Sequence, residues 1–219
     1  AVVMHMAVAT SLASVNFTAV ASLRAHHRRG AVRWDLVRRI VAGLVVGCAL
    51  GAVLTDALPA DALRRVFGLF ELLFAVQIAT SYRPDAAPRI PTLGPILAAG
   101  VFVGATSTML GIGGGVTTVM LLLLIGVPIH HAVGTAAACG LPIALAGPAG
   151  LIATGWGQPA LPAMTTGYVY WPAVAGVAMA SVLTAPLGAA TAHAMPVTGL
   201  RRVFAVVLAI VGVTMLVQG

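Results

Sequence analysis

The sequence predicts an all-α, polytopic membrane protein: two inverted helical repeats with one glycine-broken, re-entrant helix. Three observations carry this. Apolar residues make up 60% of the 219 and charged residues 8%, with a mean hydropathy of +1.04, where a soluble domain carries about 25% charged residues. Between Arg89 and Arg201 there is no Asp, Glu, Lys or Arg, which hydrocarbon demands and water does not. Finally, the chain repeats itself.

Apolar runs between charged and Pro/Gly punctuation give seven segments, Ala1–Leu23, Trp34–Thr55, Ala62–Thr80, Leu93–Ile125, Ala132–Gly155, Gly167–Ala194 and Leu200–Gln218. Six have about the ~20 residues that span a ~30 Å hydrocarbon core. Leu93–Ile125 is too long for one span and too short for two. Its middle reads Gly111-Ile112-Gly113-Gly114-Gly115, and each glycine costs a helix interior about 1 kcal/mol relative to Ala. A broken helix or re-entrant hairpin is expected there. Ala1 opens inside an apolar run with no initiator Met, basic leader or cleavage site, as a fragment would.

The repeat is legible in register. Leu63-Arg64-Arg65-Val66-Phe67 recurs as Leu200-Arg201-Arg202-Val203-Phe204, and the same shift pairs Trp34 with Trp171, Leu50-Gly51-Ala52 with Leu187-Gly188-Ala189 and Pro59 with Pro196. Upstream the shift changes, pairing His5 with His130 and Ala7-Val8-Ala9-Thr10 with Ala132-Val133-Gly134-Thr135. The difference falls in the loop around Trp156–Thr166, where insertion is cheap. Residues 1–90 are thus expected to form a first repeat lacking its Gly-rich segment, and 91–219 a complete second one. The natural protein is expected to carry about 35 further residues upstream, the size of the broken segment.

Loop charge sets the expected orientation. All twelve basic residues are Arg. Arg24, Arg28, Arg29 and Arg33 crowd the first-half loop, with Arg38 and Arg39 just beyond, whereas its counterpart Thr154–Thr166 has none. The positive-inside rule puts the first in the cytoplasm and the second outside, so the halves are inverted. Arg83, Arg89, Arg201 and Arg202 then fall inside, with Arg64 and Arg65 as exceptions. The pI near 11.1 reflects membrane-flanking clusters, and nucleic acid is not an expected partner.

Several residue groups carry candidate chemistry. Gly111, Gly113, Gly114 and Gly115, followed by Val127-Pro128 and Gly134-Thr135, allow backbone N–H groups to face a cavity and hold an anion without a formal cation. Such backbone survives in a membrane only when buried in protein or lining a water-filled cavity. Close helix packing is the alternative. No Lys follows the glycines, which excludes a phosphate loop. Thr10, Ser11, Thr135 and the run Thr106-Ser107-Thr108 offer hydroxyl donors, though intramembrane Ser and Thr commonly bond helix carbonyls. Glu71 is an acid in mid-segment, a candidate for proton coupling. His130 and His131 read as interfacial. Cys48 and Cys139 lack metal spacing and read as packing residues. Gly43, Gly47 and Gly51 form a helix-contact stripe, and Trp34 and Trp171 sit as interfacial aromatics do.

The order Gly-Ile-Gly-Gly-Gly, Val-Pro, Ala-x-Gly-Thr in a duplicated multi-helix chain resembles the TauE/SafE family of sulfite and organosulfur anion exporters. The family's common Gly-Thr-Ser reads Ala9-Thr10-Ser11 in one half and Gly134-Thr135-Ala136 in the other. The resemblance implies a secondary carrier in the cell membrane that moves small anions outward by alternating access. Its pathway would be lined by Gly111, Gly113, Gly114, Gly115, Gly134, Thr135, Thr10, Ser11 and Ser107. The expected partners are a small inorganic or organosulfur anion and the lipid bilayer, with a homo-oligomer admitted. No cofactor or metal is expected, and no covalent step. A passive channel or structural subunit is the competing class, with an intramembrane enzyme behind it.

Overall fold

The computed structural model describes residues 2–80, 91–194 and 196–217. Arg83 and Arg89, used above to orient the chain, lie outside the described residues. The chain forms α1 (Val3–Arg28), α2 (Trp34–Ala57), α3 (Ala60–Thr80), α4 (Leu93–Leu110), α5 (Gly115–Leu124) and α6 (Ile129–Thr154). A two-stranded hairpin follows, β1 (Thr165–Thr166) and β2 (Val169–Tyr170), and then α7 (Trp171–Ala194) and α8 (Val197–Val217). It is an all-α, multi-pass membrane fold. Among the described residues, α1, α2, α4 and α6 are long and apolar enough to cross a bilayer. In α3, 21 residues long, the charges of Asp61, Arg64, Arg65 and Glu71 interrupt the apolar run.

The helix lengths recur. α1, α2 and α3 have 26, 24 and 21 residues, and α6, α7 and α8 have 26, 24 and 21. The segment between them breaks into α4 and α5 at the glycines, as expected. Two boundaries differ from the sequence reading by about four residues or more. α1 continues to Arg28 because its last turn is basic, and cations suit a helix C-terminus. The sixth segment opens in the turn and second strand of the hairpin, where Gly167 takes a positive φ of 52°, and its helix begins only at Trp171.

Packing is set by small residues. A Cβ at Gly43 would land on the Leu97 carbonyl, at Gly47 on that of Val101 and at Gly51 on that of Ala105, while Gly104 meets the Leu44 carbonyl. α2 and α4 therefore run parallel in backbone contact, close enough for Cα–H···O contacts. α3 and α8 are antiparallel, with Gly68 against the Gly212 carbonyl and Gly212 against that of Gly68. α1 and α6 are also antiparallel: Leu12 packs on Gly147, and the Asn16 amide donates to the Ala144 carbonyl at 2.6 Å. The α1–α2 loop touches the start of α6, where Ala31 lies against Gly134. The segment after α6 touches the other end of α1, where the Tyr168 ring stacks on His5 at 5.2 Å. The α1–α2 loop and the segment after α6 thus occupy opposite ends of the α1/α6 pair.

Candidate functional site

α4 stops because its chain reverses at Gly111, with φ +66°. The Ile112 N–H then donates to the Ser107 carbonyl at 3.0 Å and the Gly111 N–H to that of Thr108 at 3.3 Å, a Schellman closure that needs a left-handed residue. Gly114, with φ +70°, opens α5. The first helical bond runs from the Thr118 N–H to the Gly114 carbonyl at 2.9 Å, and the Thr117 hydroxyl donates to the same oxygen at 3.1 Å. Before that bond, the N–H groups of Gly113, Gly114, Gly115, Val116 and Thr117 find no acceptor among the described residues. Gly115 and Val116 are exposed, and a Cβ on Gly115 would meet open space.

α1 and α6 grip this break. Ser11 donates to the Gly111 carbonyl at 2.9 Å, Val8 backs Gly111, and Val15 touches Gly113. Ile143 and Ser107 bound Gly114, and Gly140 leaves room for the Gly113 carbonyl. Ser107 is fully buried, its hydroxyl 3.4 Å from that of Thr117. The helix N-terminus supplies about half a positive charge from backbone dipoles, in a stretch whose sequence holds no Lys or Arg. The carbonyls of Gly111, Gly113 and Gly114 face Ser11, Gly140 and the first turn of α5, and the exposed donors are the N–H groups of Gly115 and Val116. The arrangement suits an anion held by N–H groups and hydroxyls.

Of the residues singled out by sequence, Gly111, Gly113, Gly114, Gly115, Ser11 and Ser107 come together here. Gly134 and Thr135 do not touch the break. They meet the α1–α2 loop, where the Thr135 hydroxyl accepts the Arg33 N–H at 3.0 Å. Thr10 likewise accepts the Tyr170 N–H at 3.1 Å. Thr106 bonds the Phe102 carbonyl of its own helix at 2.8 Å, as the packing alternative expects. Glu71 is buried on α3, and among the described residues its Oε2 has no partner and no hydrogen bond ties it to the break. His131 contacts the Ala31 carbonyl at 3.2 Å. Cys48 and Cys139 are buried and unpaired.

Sequence reasoning missed Gly140, Ile143 and Asn16. Pro148 inside α6 cannot serve the Ala144 carbonyl, and the Asn16 Nδ2 does so from α1. An interior proline announces that an outside donor is needed, but it does not say from where.

Long apolar helices, a glycine-broken segment and irregular backbone held between helices define a multi-pass membrane protein. Residues 1–215 match the family described as Sulfite exporter TauE/SafE, and the chain belongs to that family. It is similar to a probable membrane transporter protein of Haemophilus influenzae, 30% identical over 217 residues covering 98% of this chain and 82% of that one. The probable membrane transporter protein YdhB of Bacillus subtilis is 27% identical over 97% of this chain and 84% of its own. A probable membrane transporter protein of Methanocaldococcus jannaschii is 27% identical over 83% of this chain and 65% of its own. No solved structure matches.

Proposed function

We propose that this transporter exports small anions, such as sulfite or organosulfonates, by alternating access between two inverted repeats. In this reading residues 1–90 and 91–219 are the repeats, and the anion binds at the start of α5. The observation that carries it is the run of unpaired N–H groups from Gly113 to Thr117, held between α1 and α6. Gly111, Gly113, Gly114 and Gly115 shape the backbone, and Ser107 and Ser11 add hydroxyls. The equal helix lengths of the two halves and the antiparallel α1/α6 and α3/α8 pairs support inversion. Glu71 is proposed as the group that couples a proton, since a buried acid without a partner at membrane depth calls for a role.

Proteoliposome flux tests this. Saturable uptake of sulfite, exchangeable against a sulfonate, is expected. Gly115→Leu, placed in open space, should abolish it while leaving the fold intact, and Gly94→Leu, equally open, should not. Unsaturable conductance would indicate a passive channel. Absence of flux would indicate a structural subunit.

A further inference from the structure

Thr10 and Thr135 make the same bond in mirrored places. Thr10 on α1 accepts the N–H of Tyr170, the residue before α7. Thr135 on α6 accepts the N–H of Arg33, the residue before α2. The repeat register that aligns Thr10 with Thr135 and Trp34 with Trp171 also aligns Arg33 with Tyr170. Both threonines are buried, at 7% and 0% exposure. Each half therefore holds the start of the other half's second helix.

Their position relative to the break is equally regular. Leu12 lies level with Gly147 and Asn16 with Ala144, which puts Thr10 roughly level with Ala149, about 14 residues or ~21 Å along α6 from Thr135. Gly140 and Ile143, which touch the break, fall midway. The geometry points to Thr10 and Thr135 as a matched pair of gate clasps flanking the anion site. Opening toward the arginine-rich loop releases the Thr135–Arg33 bond, and opening toward the Tyr168 hairpin releases the Thr10–Tyr170 bond. This rests on the two-repeat reading proposed above and gives these threonines a gating role in place of substrate contact.

Cys139 supplies a native reporter: it is fully buried beside Gly140, one turn from Thr135. In a Cys48→Ser background, its labelling by a membrane-impermeant maleimide is measured from each side of oriented vesicles. Thr135→Val should raise labelling roughly fivefold from the side of Arg24–Arg39, and Thr10→Val by a similar factor from the opposite side, the factor expected for loss of one net hydrogen bond. Thr→Ser at either position, which keeps the acceptor, should match the parent. Arg33→Pro removes the donor and should reproduce Thr135→Val, with Arg33→Ala as control for the lost Asp35 ion pair. Increased labelling from the same side for both variants, or no change in either folded variant, overturns the clasps. Sided labelling in vesicles that show no anion flux upholds the clasps and rejects the transport reading instead.

Discussion

Replacing Asn16 by Leu isolates the contribution of one side chain to a proline-bearing helix. Pro148 leaves the Ala144 carbonyl without its helical donor, and the Asn16 Nδ2 replaces that donor at 2.6 Å. Stranding a buried carbonyl costs about 1–3 kcal/mol in mutational series. Against this, the Asn16 Oδ1 is itself buried without a partner, so its removal offsets part of the loss. The net expectation for Asn16→Leu is a loss of ~1–2 kcal/mol. Pro148→Ala restores the N–H that serves Ala144, and in that background Asn16→Leu should cost less than ~0.5 kcal/mol. The coupling of about 1 kcal/mol is read from reversible unfolding in mixed micelles of increasing SDS fraction, followed by circular dichroism. Equal losses in the two backgrounds would refute the assignment of Asn16 to that carbonyl.

Gly47→Ala drives a methyl into the Val101 carbonyl and should destabilise by ~1–3 kcal/mol, whereas Gly176→Ala, in open space on α7, should gain ~0.5–1 kcal/mol in the same assay. Gly114→Ala should lose ~1–2 kcal/mol from the left-handed backbone alone, with a further clash against Ile143 that Ile143→Val relieves while the backbone part persists. Tyr168 donates to Asp56 at 2.6 Å, and burial, followed by that carboxylate, pushes its phenol up to about 12. A raised folded value means the stabilisation is whole below the unfolded value of about 10 and is lost as pH rises through about 12. Melting temperature should fall over that window, less steeply in Tyr168→Phe, and tyrosinate absorbance should show one phenol ionising late.

The break and the packing stripe were legible because each is written in contiguous or evenly spaced glycines. Four glycines in five positions cannot continue a helix, and Gly43, Gly47 and Gly51 fall on one helical face. The internal sequence match is visible in the chain itself, and it pairs Thr10 with Thr135. What those threonines hold was not legible, since the partners are backbone N–H groups about 100 to 160 residues away with no side-chain signature. Asn16 was missed for the same reason: its importance exists only once residue 144 is beside it. The second strand of the hairpin, Val169–Tyr170, fell in the sixth apolar segment because apolar content does not report the positive φ angle at Gly167.

The reciprocal glycine contact of α3 and α8 has a consequence for biogenesis. Gly68 meets a partner encoded about 140 residues later, which at ~5–20 residues per second emerges roughly seven to thirty seconds after it. For that interval α3 must be sheltered without the helix it will pack against. A chain stalled before α8 leaves the Gly68 face of α3 without its partner, which makes α3 the segment where membrane quality control can recognise unfinished copies.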